Sequence, residues 1–188
     1  MTMNELNVIL IHGKDTNPSQ KWYPWLINEM KNRGIKCLAP ELPRPNDPVL
    51  SEWLDEIDKL NPDENSILIG HSKGGVAILR WLQKQPQDKK VRKVILVAAN
   101  NPSVSEKNKK ANTNGFYEEG PYDFDKIKNH CDEFIVLHSK DDQWVPFASG
   151  EENAKGLNAK FLIFEDRGHF GSQLPKQEIP ELLDEILS

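Results

Sequence analysis

The sequence lacks the features that mark membrane-spanning, secreted and nucleic-acid-binding proteins. No apolar run approaches the roughly 18 residues that a membrane span needs. The first six residues have neither the cationic start nor the apolar centre of a signal peptide. The 29 acidic residues outnumber the 24 basic ones, and no basic stripe offsets the formal charge of -5. We therefore expect a soluble cytoplasmic protein that binds neither nucleic acid nor membrane.

Cysteine is also scarce, and a phosphate-binding loop is missing. Cys37 and Cys131 lie far apart without metal-ligand spacing, so we expect reduced, buried thiols rather than a disulfide, a metal site or a nucleophile. No glycine-rich phosphate loop follows the first apolar run, which argues against a flavodoxin-like nucleotide-binding protein. No metal or organic cofactor is implied. The length of 188 residues fits one domain, residues 1–188.

Short apolar runs alternate with helical patterns along the chain. The apolar runs predict six strands, at 6–12, 35–39, 67–69, 91–99, 133–138 and 159–164. Spacings of three and four predict helices at 22–33, 49–60, 73–82, 124–129, 147–156 and 179–187. This alternation predicts an α/β fold, in which helices cover both faces of a parallel sheet and the functional residues gather at the carboxyl ends of the strands.

The third strand runs directly into a G-x-S-x-G motif, Gly70-His71-Ser72-Lys73-Gly74. A serine oxygen projects from a sharp strand-to-helix turn only if the backbone is strained and its neighbours lack side chains, which explains the two glycines. Such a motif also arises by chance, but seldom between a strand and a helix. Ser72 is therefore the candidate nucleophile, and the Lys73 N–H at the helix start is a candidate oxyanion donor.

Two further strand ends supply the groups that activate a serine. A hydroxyl needs a base, and the base needs a carboxylate to fix its tautomer. His169 follows the sixth strand, and two acids, Asp141 and Asp142, follow the fifth. The order serine, aspartate, histidine is typical of α/β-hydrolases. Composition does not rank Asp141 against Asp142, and core or surface roles suit the remaining histidines, which are His12, His71, His130 and His138.

The turn after the first strand, His12-Gly13-Lys14, offers a second oxyanion donor, the backbone N–H of Lys14. His-Gly at a strand end is also an ordinary turn. Candidate pocket residues are His12, Trp22 and Trp144, although aromatic residues on a helix face more often belong to the core. The Lys73 side chain predicts a preference for esters with an acidic group, unless the amine points into solvent.

Residues 100–120 have few apolar positions and no sustained period. They are predicted to form a long loop, which is either a small lid over the site or a surface insertion that does not contact substrate. A loop of this kind is also where a protein partner would bind.

The chain resembles the small α/β-hydrolases of the retinoblastoma-binding protein 9 and YdeN type. The resemblance runs almost end to end, through VILIHG, KWYPWL, ELPRPNDP with the later Trp53, IGHSKGG, SKDDQWVPF and EDRGHF. It implies a trimmed α/β-hydrolase without a large cap domain and a triad on Ser72, Asp142 and His169. The D-x-x-V-P form favours Asp142 over Asp141. Lys73 departs from the apolar or small residue that many hydrolases carry after the nucleophile.

The sequence thus predicts a serine hydrolase that cleaves a small carboxylic ester, or an amide or thioester, through an acyl-serine intermediate. The alternative is an interaction protein that keeps the scaffold but binds a partner with little or no turnover.

Overall fold

A computed structural model describes residues 6–104, 113–174 and 176–188 of the chain. The strands are β1 Asn7–Ile11, β2 Lys36–Leu38, β3 Ser66–His71, β4 Lys93–Val97, β5 Phe134–Ser139 and β6 Lys160–Phe164. The helices are α1 Tyr23–Asn32, α2 Leu50–Lys59, α3 Lys73–Lys84, α4 Phe124–Lys128, α5 Phe147–Leu157 and α6 Pro180–Leu187. The ends of the predicted elements differ from these bounds by at most two residues.

The six strands form one parallel sheet in the order β2-β1-β3-β4-β5-β6. Alternate side chains of the strands enter two separate apolar clusters, one on each face. Helices α2, α3, α4 and α5 cover one cluster, and α1 and α6 cover the other. The strands are therefore buried on both sides, which is why they read as continuous apolar runs. The predicted architecture, a six-stranded parallel sheet with helices on both faces, is confirmed.

Strand register brings the candidate residues to one edge of the sheet. Ile11 at the end of β1 pairs with Gly70 near the end of β3, and His71 pairs with Val97 of β4. The turns that follow β1 and β3 are consequently neighbours. Because all strands point the same way, the loops after β5 and β6 open on the same edge.

Both cysteines are free thiols, as predicted; Cys131 is buried and Cys37 is partly buried. Burial raises the pKa of each thiol to about 12, so neither is a nucleophile at neutral pH. No helix in the described parts of the chain is long and apolar enough to cross a membrane.

Candidate active site

Ser72 occupies a strained turn between β3 and α3. Its φ of 53° and ψ of -120° lie outside the regions that non-glycine residues normally adopt. The conformation is held because the Ser72 N–H donates to the Val97 carbonyl at 2.9 Å while the Ser72 carbonyl accepts from the Gly75 N–H at 3.1 Å. Strain of this kind persists only where the surrounding structure over-determines it, and it directs the Ser72 side chain away from the sheet.

The glycines of the motif let backbone segments touch. A Cβ on Gly74 would lie 2.1 Å from the Ile11 carbonyl oxygen, and a Cβ on Gly70 would lie 2.5 Å from the Gly75 Cα. Helix α3 therefore begins directly against the end of β1. As a result the turn after β1 reaches the nucleophile turn, where a Cβ on Gly13 would be 3.2 Å from the Ser72 Cβ.

His169 and Asp142 are joined by a hydrogen bond. His169 Nδ1 lies 2.8 Å from Asp142 Oδ2; the Asp142 side chain is fully buried, and that of His169 is 12% exposed. The other carboxylate oxygen, Oδ1, accepts the N–H groups of Trp144 at 2.8 Å and Val145 at 2.9 Å. Since a carboxylate only accepts, His169 carries its proton on Nδ1 and leaves Nε2 free to accept another.

A second histidine contacts the same carboxylate. His138 Nε2 lies 3.5 Å from Asp142 Oδ2 and 3.2 Å from the Val145 carbonyl. Burial alone would raise the pKa of Asp142, but hydrogen bonds from His138 and His169 outweigh it and hold the pKa well below its usual range. Asp142 is therefore ionised at neutral pH and able to stabilise a positive charge on His169.

Asp141, the acid that composition left open, faces the loop of His169 instead of its ring. Its Oδ1 accepts the Ser139 hydroxyl at 2.5 Å and the Gly168 N–H at 2.8 Å. Ser139 Oγ in turn accepts the Arg167 N–H at 2.9 Å. Asp141 thus ties the histidine loop to the end of β5, and the two adjacent acids hold different parts of one loop.

A buried chain of hydrogen bonds links this loop to the turn after β1. His71 Nε2 lies 2.9 Å from the His169 carbonyl, and Tyr23 Oη lies 2.6 Å from His71 Nδ1. Because the carbonyl can only accept, His71 Nε2 carries the proton, so Nδ1 accepts the Tyr23 hydroxyl. Tyr23 Oη accepts the Gly13 N–H at 3.3 Å. Burial lowers the pKa of His71 well below 6.5, which keeps the ring in this neutral form.

His12 fixes the orientation of the next peptide. The Leu42 N–H donates to His12 Nε2 at 3.0 Å, so the proton is on Nδ1, which donates to the Gly13 carbonyl at 2.8 Å. In a trans peptide the carbonyl and the following N–H point in opposite directions. The Lys14 N–H is therefore turned away from His12. Within the described residues no acceptor binds the N–H of Lys14 or that of Lys73.

These groups surround a cavity of about 570 Å³. Its lining includes Ser72, His169 and three lysines, completed by Asp15, Asn100, Thr113, Tyr117, Trp144 and Val145. No hydrogen bond joins Ser72 to His169 among the described residues. Such catalytic bonds are often long until substrate is bound. A neighbouring cavity of about 660 Å³ shares Asp15, Lys21, Trp144 and His169 with the first but lacks Ser72.

Part of the predicted long loop forms one wall of this cavity. Residues 105–112 lie outside the described residues, but Tyr117 lines the cavity and Phe116 is fully buried. The buried Arg80 donates to the Phe116 carbonyl at 3.3 Å and to the Gly120 carbonyl at 2.5 Å. The second half of the loop, residues 113–120, is therefore fixed onto α3, whose first residues carry the site.

Two of the three predicted pocket residues are not in the cavity. His12 is 1% exposed and packs edge-on against Trp53, and both of its ring nitrogens have partners. Trp22 is fully buried against Tyr23 and His71 in the core. The predictions for His12 and Trp22 are wrong because both rings are buried in the core and do not line the cavity. Trp144 does line the cavity and is 78% exposed at its rim.

The sequence reasoning missed Tyr23, Lys21 and Tyr117. Tyr23 holds the buried hydrogen-bond chain, and the other two line the cavity. Tyr23 could have been suspected only through its partner His71. A histidine inside the nucleophile motif, at the end of a buried strand, must find polar partners in the core, and Tyr23 is one of them. Nothing in composition or spacing marks Lys21 or Tyr117.

Known proteins are similar to this chain in both sequence and fold. Residues 8–186 match the family described as serine hydrolase. The serine hydrolase RBBP9 of Rattus norvegicus is 34% identical over 151 residues, covering 79% of this chain and 77% of that protein. YdeN of Bacillus subtilis (strain 168) is 29% identical over 186 residues, covering 96% and 94%.

Solved structures extend the similarity. The crystal structure of the ydeN gene product from B. subtilis matches with a TM-score of 0.86 and 28% identity, covering 97% of both chains. An esterase from Exiguobacterium antarcticum matches with a TM-score of 0.74 over 97% of this chain and 92% of its own, and at 17% identity it shares the fold alone. On the family match across residues 8–186 and the identity to RBBP9, this chain belongs to the serine hydrolase family.

Proposed function

We propose that this hydrolase cleaves small carboxylic esters through an acyl-enzyme formed on Ser72, with His169 as the base and Asp142 as its carboxylate partner. The observation that carries the proposal is the 2.8 Å bond from His169 Nδ1 to the buried Asp142, which leaves Nε2 without a proton, in a cavity that Ser72 and His169 both line. Amides and thioesters react by the same route, but esters have a better leaving group than amides.

In the first step Ser72 Oγ attacks the ester carbonyl carbon while His169 Nε2 takes the hydroxyl proton. The imidazolium that forms is stabilised by the ionised Asp142, whose low pKa keeps it charged. The carbonyl π electrons move to oxygen. When they return, the bond to the alcohol breaks, and His169 gives its proton to the departing alkoxide.

The negative oxygen of the tetrahedral intermediate needs donors that are already in place. The backbone N–H groups of Lys14 and Lys73 suit this role because no acceptor among the described residues occupies either. Lys73 is the first residue of α3, where the helix dipole adds positive charge. His12 and Tyr23 support the arrangement by holding the peptide groups on either side of Gly13.

Deacylation repeats these steps with water as the nucleophile. His169 removes a proton from water, the resulting hydroxide attacks the acyl carbon, and the carbon–oxygen bond to Ser72 breaks. The proton on His169 returns to Ser72 Oγ, and the carboxylic acid leaves. No step requires a group other than those of the chain and water.

The proposal is tested with p-nitrophenyl esters of increasing acyl length. Wild-type protein is expected to release p-nitrophenol with saturable kinetics, and Ser72→Ala to lower kcat by about 10⁴ to 10⁶ because the nucleophile is lost. Ser51→Ala is the matched control, since it makes the same change at an exposed position of α2 that does not line the cavity. The interaction-protein alternative predicts that wild-type protein turns over the esters no faster than Ser72→Ala does. Equal rates for the two proteins, both folded, would overturn the proposal.

A further inference from the structure

Positive charge is concentrated at the cavity although the whole chain is acidic. The chain carries 24 basic and 29 acidic residues. Yet the lining of the 570 Å³ cavity contains Lys14, Lys21 and Lys73, and Asp15 is the single acidic residue among its described lining residues. The formal charge of the lining residues is thus opposite in sign to the net charge of the chain, so it does not follow from composition. Such local fields attract substrates of the opposite charge.

Lys73 is held in the cavity wall instead of extending into solvent. Its Nζ lies 4.3 Å from the centre of the Phe116 ring and 4.9 Å from that of Tyr117. The aromatic faces attract the ammonium group but carry no full negative charge. Burial, followed by the nearby Lys14, lowers the pKa of Lys73 to about 8. The amine is therefore partly desolvated beside another cation, without a carboxylate at salt-bridge distance among the described residues.

The nearest acids do not neutralise Lys14 and Lys73. Asp15 approaches Lys14 only at 3.9 Å, and both side chains are largely exposed, a geometry that contributes little. Glu118 raises the pKa of Lys73, but its carboxylate is turned onto its own loop, where it accepts the N–H groups of Thr113, Gly115 and Tyr117. An anion between Lys14 and Lys73 would relieve their mutual repulsion and replace the solvent that Lys73 has lost.

We propose that the substrate is an ester that also carries an ionised acidic group. The side chains of Lys14 and Lys73 bind this acidic group, while their backbone N–H groups face the scissile carbonyl. The inference rests on the proposed function and narrows it to a substrate class. Lys21 lines both cavities and adds a third cation to the wall, although Asp15 and the buried Asp142 act on its charge. A dicarboxylic acid monoester, or an ester whose alcohol bears a carboxylate, has the required chemistry.

The test compares esters that differ only in charge. One pair varies the acyl group, p-nitrophenyl hydrogen adipate against p-nitrophenyl methyl adipate, and the other varies the alcohol, 4-acetoxybenzoate against 4-acetoxybenzamide. The quantity measured is the ratio of kcat/KM for the anionic ester to that for its neutral partner. We expect a ratio of at least about ten in one pair for the wild type, as one partly buried charge contact of about 1.4 kcal/mol would give.

Charge variants assign that preference to the cavity. Lys73→Gln and Lys14→Gln should each lower the ratio about tenfold, and the preference of the wild type should shrink as the salt concentration rises from about 0.02 to about 0.5 M. Lys155→Gln is the matched control. Lys155 is exposed near the end of α5, shortly before β6 begins, and does not line the cavity. The variant therefore makes the same change in net charge but should leave the ratio unaltered.

The ratio should also depend on pH. Because the pKa of Lys73 is about 8, its charge and the preference it supports are complete at lower pH and are lost as the pH rises through that value. The ionisable groups around it are Lys14, Lys21, Asp15, Tyr117, Glu118 and His169. The pKa of Tyr117 is raised to about 12 and that of Glu118 is lowered to about 2, so neither changes charge in this range.

The outcomes separate the two proposals. If wild-type protein hydrolyses the neutral esters but shows no anion preference in either pair, or a preference that the Lys14 and Lys73 variants leave unchanged, the substrate class is wrong and the esterase proposal stands. If no ester of either charge is hydrolysed and Ser72 forms no adduct with a fluorophosphonate, a reagent that labels activated serines, both proposals fail together.

Discussion

Asp142→Asn is expected to lower kcat for ester hydrolysis by about 10⁴, the loss seen when the same change is made in a serine protease. The asparagine oxygen can still accept the Trp144 and Val145 N–H groups that bind Asp142 Oδ1. Its NH₂ group then faces His169 Nδ1 and forces that nitrogen to accept. The proton moves to Nε2, so His169 can no longer take the proton of Ser72.

Asp141→Asn supplies the matched control one residue away. Asp141 Oδ1 accepts the Ser139 hydroxyl and the Gly168 N–H, and an asparagine oxygen can accept both. We expect kcat to remain within about tenfold of wild type, because the histidine loop stays tied to β5 and the tautomer of His169 is unaffected. Equal losses in the two variants would assign the carboxylate role to both acids together and would contradict the assignment of Asp142 alone as the partner of His169.

Gly74→Ala is expected to destabilise the fold by about 3 kcal/mol or more, at the upper end of the cost of overpacking. The added Cβ would lie 2.1 Å from the Ile11 carbonyl oxygen and 2.6 Å from that of His12. Both obstacles are backbone atoms, which cannot rotate out of the way as a side chain can. Relief requires that α3 move away from β1, which would also separate the Lys14 peptide from Ser72.

Urea unfolding of the purified variants measures this cost. Gly171→Ala is the matched control, since the nearest atom to its added Cβ, Gln173 Oε1, would be 3.6 Å away, an ordinary contact distance. It should shift the free energy of unfolding by no more than about 0.5 kcal/mol. A Gly74→Ala protein with the stability and turnover of wild type would show that α3 does not need its close approach to β1.

The fold and the position of the candidate site could be predicted because they depend on local patterns. Strands buried on both faces are continuous apolar runs in the sequence. The carboxyl ends of parallel strands meet at one edge of the sheet, independently of the conformation of the loops. Ser72, Asp142 and His169 each follow such a strand. Their approach to one another could therefore be predicted from the parallel sheet alone. The motif glycines were predictable in the same way, since a sharp turn against a neighbouring strand leaves no room for a Cβ.

The lining of the cavity could not be predicted because it depends on how loops fold over the sheet. The sequence shows that a histidine and a glycine end β1, but not that the His12 ring turns back to bind the Leu42 N–H. Trp22 precedes the apolar face of α1, and only packing decides that its ring enters the core. Tyr117 reaches the cavity because Arg80, far away in sequence, fixes its segment.

Covalent labelling with a fluorophosphonate tests the central claim most directly, because the reagent mimics the tetrahedral state and reacts only with a serine that has both a base and oxyanion donors. Intact mass and peptide mapping of wild-type protein should show one adduct, on Ser72. Ser72→Ala should show none, and His169→Ala should label much more slowly, provided that each variant unfolds with the cooperativity of wild type. Folded wild-type protein that takes no label on Ser72, or takes it at another serine, would contradict the claim that Ser72 is the nucleophile.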